Sequence, residues 1–139
     1  MTDRVSPHFT RAELACKGTG RIAFAPGFVP ALEYLREAYG SPMIVTSGCR
    51  SASYNKQIGG HSRSLHMIAN PHWGCDTCAI DIARPSGPDL HRLVHLATTM
   101  GWAIGIDDTF VHLDLRKKII GLEPVIFTYI RRNYVHSLR

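Results

Sequence analysis

The sequence predicts an α+β fold, in which helices pack on a small, mostly antiparallel sheet of about four strands. Helix-like and strand-like segments alternate through most of the chain, and three strand-like segments then follow close together. No repeat and no linker-like segment divides the 139 residues, a length that suffices for one hydrophobic core. We therefore expect a single domain over residues 1–139, ending in a basic C-terminal tail.

Four segments carry helix signals. Thr10 and Glu13 form a capping box, which predicts that a short helix starts there. Residues 26–39 place large apolar side chains on one face, and the glycine that follows favours a helix end. A short helix is predicted over 52–58. A longer helix is predicted to begin at 86–89, where a second capping-box-like pattern lies, and to end before a glycine at position 101.

Short runs rich in β-branched and apolar residues indicate strands. They cover 43–46, 79–83, 102–106, 110–115 and 125–129. The segment 67–78 contains asparagine, proline and glycine, and we expect it to be a loop.

The composition argues against two classes of function. The net charge is +5, but the basic residues are dispersed and no basic helix or aromatic-basic interleaving is present. We interpret these charges as solvated surface and expect no nucleic-acid partner. A basic nucleic-acid-binding protein remains a rival, which a steep salt dependence of DNA binding would favour. No apolar run approaches the ~18 residues needed to cross a bilayer, so no membrane span is expected.

Four cysteines occupy positions 16, 49, 75 and 78, and we expect them to be reduced. In the predicted loop, His72-x-x-Cys75-x-x-Cys78 has a spacing typical of zinc ligands, but a fourth ligand is not evident. A structural metal, a Cys75–Cys78 disulfide and plain thiols all stay open.

Three residues suggest a catalytic metal site. His112 lies inside an apolar strand pattern, Asp81 lies in another, and His66 precedes the predicted loop. A buried carboxylate is costly unless it is paired or metal-bound. The alternative for Asp81 is a salt bridge with Arg50. Two imidazoles and one carboxylate are the donors of a catalytic zinc site that leaves one position for water.

Carboxylates near His112 are the candidate catalytic groups. Asp114 lies two residues further along the same predicted strand and therefore shares its face. Asp114 could act as general base or could orient a ligand imidazole. Asp107 and Asp108 lie in the turn before the strand, and Asp108 is the second choice. The alternative for both is an exposed turn.

Several motifs occur together in a characteristic order. They are Ser47-Gly48-Cys49-Arg50-Ser51, Asn55, Gly59-Gly60, Ser64-Leu65-His66, Ala79-Ile80-Asp81-Ile82 and Phe110-Val111-His112-Leu113-Asp114. Over about residues 8–130 the chain resembles the zinc D-Ala-D-Ala carboxypeptidase family. That family includes phage L-alanyl-D-glutamate peptidases, murein endopeptidases and the hedgehog domain.

The resemblance implies a hedgehog/DD-peptidase-like fold with zinc on His66, Asp81 and His112. It implies that Arg50 grips a substrate carboxylate and that Ser64 hydrogen-bonds substrate or a neighbouring ligand. The sequence also departs from the family. Cys49 replaces a tyrosine, Thr109 stands where many members have a catalytic acid, and fourteen residues separate His66 from Asp81, more than is usual.

We therefore expect a zinc-dependent peptidase that hydrolyses peptide bonds of bacterial peptidoglycan as a D-Ala-D-Ala carboxypeptidase or as a murein endopeptidase of the endolysin type. The alternative is a zinc-binding module with little or no catalysis that binds wall peptide or a protein partner. We expect a monomer. Because the N-terminus lacks the apolar segment of a secretory signal, we expect synthesis in the cytoplasm and release to the wall by phage lysis or with a virion.

Overall fold

The structure is a computed structural model that describes residues 3–129. Its fold is α+β, as the sequence predicts. In chain order the elements are β1 (Arg4–Ser6), β2 (Phe9–Thr10), α1 (Arg11–Leu14), α2 (Phe28–Tyr39), β3 (Val45–Ser47), α3 (Ala52–Gln57), β4 (Ala79–Ala83), α4 (Gly87–Thr99), β5 (Ala103–Ile106), β6 (Phe110–Asp114), α5 (Arg116–Ile120) and β7 (Ile126–Thr128).

The main sheet has five strands in the order β3-β4-β6-β5-β7. All neighbouring pairs are antiparallel except β5 and β7, which run parallel. The sheet is thus one strand wider than the four or so expected. Strands β4 and β6 lie side by side near its middle, where pairing on both sides holds their side chains in register.

The two faces of this sheet have different roles, because side chains alternate along each strand. One face packs against helices α2 and α4 in a single hydrophobic core. Its strand residues are Ile80, Ile82, Ile104, Val111 and Leu113. The opposite face carries the intervening residues of β4 and β6, including Asp81, His112 and Asp114. The core therefore fixes the direction in which the polar residues point.

Most predicted elements are present with shifted ends. The helix predicted over 26–39 begins at Phe28, since Gly27 adopts a left-handed conformation (φ 85°) that starts it. The capping box at Thr10 and Glu13 forms as predicted, with both reciprocal hydrogen bonds. The hairpin β1–β2 and the five-residue helix α5 were not predicted. The predicted basic tail, which is the last ten residues, lies outside the described residues.

Among the described residues the longest helix is α4, with 13 residues. None of the helices within residues 3–129 combines the length and apolar character needed to span a bilayer.

Candidate metal centre

The sheet brings two of the candidate ligands face to face. Asp81 on β4 and His112 on β6 are directly paired in the antiparallel register. His66 reaches the same place from the loop after α3, where its main chain is fastened on two sides. The His66 carbonyl accepts hydrogen bonds from the Arg50 amide (2.8 Å) and the Thr77 hydroxyl (2.7 Å). All three side chains are buried.

Three ligand-type atoms converge in this cluster. Asp81 Oδ1 lies 3.0 Å from His66 Nε2 and 2.9 Å from His112 Nδ1, and the two nitrogens are 3.3 Å apart. The other nitrogen of each ring has its own acceptor. His66 Nδ1 lies 2.8 Å from the Gly48 carbonyl, and His112 Nε2 lies 2.8 Å from Asp114 Oδ2.

These outer contacts determine the tautomers. A carbonyl only accepts, so His66 carries its proton on Nδ1 and presents a lone pair at Nε2. The Asp114 carboxylate likewise favours a proton on His112 Nε2 and a lone pair at Nδ1. Two imidazole lone pairs and one carboxylate oxygen therefore point at one spot, which requires a proton or a metal cation there.

The pKa values reflect this crowding. Burial alone would raise the pKa of Asp81, but His66 and His112 hold it well below its usual range. Burial alone would lower the pKa of His112, but hydrogen bonds to Asp114 and Asp81 outweigh it and raise the pKa to about 9. Burial lowers the pKa of His66 despite the nearby Asp81 charge. Without a metal, a proton held by His112 therefore neutralises the cluster.

The donor set fits zinc. Donor atoms about 2.0 Å from a tetrahedral zinc ion lie about 3.3 Å apart, close to the separations found here. Two nitrogens and one carboxylate oxygen are also the donors typical of catalytic zinc sites with an open position. His66, Asp81 and His112 are thus the residues that could hold the ion.

Asp114 is held by more than the ligand imidazole. Its side chain is fully buried and accepts hydrogen bonds from Arg116 Nε (3.0 Å), Arg116 Nη2 (2.8 Å) and the Arg116 amide (3.0 Å). Burial alone would raise its pKa, but His112 and Arg116 lower the pKa to about 2. Asp114 is therefore an anion whose two oxygens are already occupied.

The sequence suggested two roles for Arg50, a salt bridge with Asp81 or a contact with a substrate carboxylate. Both roles require Arg50 to lie beside the cluster, and it does. Its Nη2 is 3.4 Å from Asp81 Oδ2, and its Nε and Nη1 contact Ser47 Oγ (3.1 Å) and Asn55 Oδ1 (3.3 Å). The ion pair with Asp81 is long, and Arg50 also lines the pocket above the cluster. Its guanidinium can therefore contact a ligand there.

Ser64 also lines this pocket. Its hydroxyl accepts a hydrogen bond from the His66 amide (3.2 Å), and its carbonyl accepts one from Asn70 Nδ2 (2.9 Å). Ser64 thus supports the chain that carries His66 and could reach a ligand as well.

The turn before β6 lies apart from the pocket lining. Asp107 is buried and its Oδ2 accepts hydrogen bonds from the Thr109 amide and hydroxyl, each 3.1 Å long. Asp108 is exposed. Among the described residues that line the pocket, the carboxylates are Asp81 and Asp114. The structure does not bring Asp108 together with the other candidate site residues.

The cysteine motif does not form a second centre. Within residues 3–129, the groups that could hold a metal include neither His72 nor any cysteine. All four cysteines are free thiols. Cys75 and Cys78 are within hydrogen-bond reach of each other, and burial raises the pKa of Cys78 to about 12. The interpretation as plain thiols is the one that the structure supports.

Sequence reasoning missed three contributors to the site. Gly48 supplies the carbonyl that orients His66, and a Cβ on it would lie 2.4 Å from the Leu14 carbonyl oxygen. Arg116 holds Asp114, a contact that the i, i+2 spacing of opposite charges could have suggested. Phe127 on β7 packs near His112, with ring centroids 6.1 Å apart. Its position depends on strand pairing that no local pattern reveals.

The fold and the site together define an α+β domain in which two imidazoles and one carboxylate, the donors typical of a catalytic zinc site, converge at a pocket. The family model described as Peptidase M15 matches residues 7–114, which include all three of these residues. The chain therefore belongs to the Peptidase M15 family, in agreement with the resemblance that the sequence motifs carry. No curated protein sequence matches the chain.

Proposed function

We propose that this protein is a zinc-dependent peptidase that hydrolyses peptide bonds of bacterial peptidoglycan. The observation that carries the proposal is the convergence of two imidazole lone pairs and a carboxylate oxygen at a pocket in a member of a peptidase family. The pocket has a volume of about 620 Å³, enough for several residues of a peptide.

The residues around the cluster have separable roles in this proposal. His66, Asp81 and His112 would hold a zinc ion, which would supply a Lewis acid for water and for the scissile carbonyl. The Gly48 carbonyl keeps the proton of His66 on Nδ1, so that Nε2 stays available. Asp114 does the same for His112 by holding the proton at Nε2.

Arg50 binds a carboxylate of the substrate. Its guanidinium is planar and can form two parallel hydrogen bonds to a carboxylate. In the metal-free cluster it pairs loosely with Asp81, and zinc binding would reduce the negative charge available to it there. Ser64 contributes a hydroxyl to the same wall of the pocket.

Asp114 serves as a positioning residue in this proposal rather than as the general base. Its oxygens already accept hydrogen bonds from His112 and Arg116, which leaves it poorly placed to take a proton from water. Asp108 remains the second candidate for the base. It would need the turn before β6 to move over the pocket in the presence of substrate.

The test is digestion of purified peptidoglycan by the zinc-loaded protein, followed by mass analysis of the fragments. Release of terminal D-alanine would identify a carboxypeptidase, and release of longer peptides an endopeptidase. His112→Ala should remove both zinc and activity. His91→Ala is the matched control, because His91 is exposed on α4 and should change neither. Zinc-loaded protein that leaves the wall intact would contradict the proposal.

A second function is favoured by one observation. Both carboxylates that line the described pocket are engaged, Asp81 within the cluster and Asp114 with Arg116. At position 109, where many members of the family that the sequence resembles have an acidic residue, this chain has a threonine. A zinc-binding module with little catalysis would therefore bind wall peptide without cleaving it. Binding of soluble wall peptide without turnover would support this alternative.

A further inference from the structure

The long segment between His66 and β4 folds into a compact ledge rather than a slack loop. We call residues 67–78 the ledge. Asn70, which is 1% exposed, is its anchor. The Asn70 side chain donates to the Ser64 carbonyl (2.9 Å) and accepts from the His72 amide (2.8 Å), while its own amide donates to the Cys75 carbonyl (2.9 Å). The ledge is thus fixed to the chain that carries His66.

The ledge places one aromatic ring in the pocket. Trp73 lines the same cavity as His66, Asp81 and His112. Its indole nitrogen donates to the Arg63 carbonyl at 2.9 Å. Because this polar group is occupied, Trp73 can offer a ligand in the pocket only the apolar surface of its ring.

The Arg63 main chain is held from both sides. Its amide donates to His61 Nδ1 at 3.0 Å, and its carbonyl accepts from Trp73. The side chain is exposed and lines the pocket. The ordered backbone lowers the entropic cost of using this arginine for recognition.

Among the described residues that line the pocket, no carboxylate is paired with the positive charge of Arg63. Of the arginines that line it, Arg116 pairs with Asp114 and Arg50 approaches Asp81. Within residues 3–129, no carboxylate forms an ion pair with Arg63. A pocket with a divalent cation, Arg50 and Arg63 would therefore favour a substrate with more than one negative charge.

We propose that Trp73 and Arg63 form a second recognition subsite, which binds a peptide residue that combines an aliphatic chain with a free carboxylate. The ring of Trp73 packs against the aliphatic part, and the Arg63 guanidinium binds the carboxylate. This subsite acts in addition to Arg50, so the preferred substrate carries two carboxylates. The inference rests on the proposed function, since it places the peptide in the pocket of the metal cluster.

Two synthetic peptides provide the probe. Both contain D-amino acids and a free C-terminus, and one also has an acidic side chain that is amidated in the other. Their affinities for the full-length, zinc-loaded protein are measured by calorimetry at low ionic strength. The dicarboxylate peptide should bind the parent protein more tightly, by up to roughly 10-fold, because a hydrogen bond between two charged groups is stronger than one to a neutral amide.

Three variants test the two residues separately. Arg63→Gln should cancel this preference and leave the affinity for the amidated peptide unchanged. Trp73→Phe loses the hydrogen bond to the Arg63 carbonyl but keeps an aromatic ring, so it should retain more of the affinity for both peptides than Trp73→Ser, which loses the ring. Arg21→Gln is the matched control, since Arg21 is exposed and does not line the pocket.

Several results would overturn the subsite. One is an unchanged preference for the dicarboxylate peptide in Arg63→Gln, whether or not that variant binds both peptides more weakly. Another is a loss of affinity in Trp73→Phe as large as that in Trp73→Ser. A parent protein that digests peptidoglycan but binds the two peptides equally would also overturn it, without affecting the proposed function. Conversely, the expected binding pattern without peptidoglycan digestion would support the subsite and contradict peptidase activity.

Discussion

Replacing Asp114 with asparagine tests whether Asp114 positions His112 or acts as the general base. The carboxylate accepts from His112 Nε2 (2.8 Å) and from Arg116 Nη2 (2.8 Å), and it is fully buried. Asparagine has nearly the same shape but no charge. Its Oδ1 can still accept hydrogen bonds, but its Nδ2 cannot, so one of the two acceptor oxygens is lost. Arg116 would lose its anion, and the proton on His112 Nε2 would be held less firmly.

The magnitude follows from these contacts. Loss of a carboxylate that orients a metal-bound imidazole typically costs 10- to 100-fold in metal affinity. Stability should fall as well, because charged hydrogen bonds contribute about 1.5–3 kcal/mol each. Water can replace part of the hydrogen bonding that Arg116 loses, because the Arg116 side chain is 21% exposed. We therefore expect about 2 kcal/mol of lost stability and zinc affinity lower by one to two orders of magnitude.

Two measurements check this prediction. Competition with a chelator gives the zinc affinity, and urea denaturation of the metal-free protein gives the free energy of unfolding. Activity of Asp114→Asn should be partly restored by excess zinc. Asp108→Asn is the control for affinity, since Asp108 does not line the pocket. Unchanged zinc affinity with no turnover in Asp114→Asn would refute the positioning role and identify Asp114 as the base.

Three further predictions concern other parts of the site. Arg50→Lys keeps the charge but loses the paired hydrogen bonds, so kcat/KM should fall by roughly 10-fold or more with zinc content unchanged; an unimpaired variant would count against carboxylate binding. Gly48→Ala should lower stability by about 1–3 kcal/mol and weaken zinc binding, because the new Cβ would lie 2.4 Å from the Leu14 carbonyl oxygen. Gly87→Ala, whose Cβ would meet no atom within 4 Å, is its control, and equal denaturation midpoints would contradict the reasoning. In the metal-free protein, the raised pKa of His112 stabilises the fold fully below pH ~6.5, and this contribution is lost as pH rises through about 9. Denaturation midpoints between pH 6 and 9.5 measure this loss, which His112→Ala should abolish.

Local patterns in the sequence were sufficient for much of the fold. The capping box at Thr10, the apolar face of α2 and the alternation along β4 and β6 each depend on residues close together in the chain. Such signals act through neighbouring side chains and main-chain groups. The same alternation predicts that His112 and Asp114 share a face, and the structure places both on the face opposite the core.

Pairing across the chain was beyond the reach of local patterns. Strand β7 has only three residues, and its parallel partner β5 lies about twenty positions earlier. Nothing in the run Ile126–Thr128 specifies either the partner or the direction. The hairpin β1–β2 is equally short, so its pairing depends on contacts with the rest of the domain.

The amino-acid types alone determined which side chains can bind zinc, because imidazole and carboxylate carry that chemistry wherever they lie. Only the tertiary structure decided how they are used. The Gly48 carbonyl and the Asp114 carboxylate select the tautomers of His66 and His112, and Arg116 leaves Asp114 little freedom to accept a proton. These contacts join distant segments or depend on side-chain directions, and hydrogen bonds of this kind require positions accurate to a few tenths of an ångström. Sequence spacing does not specify positions to that accuracy, whereas a packed core does.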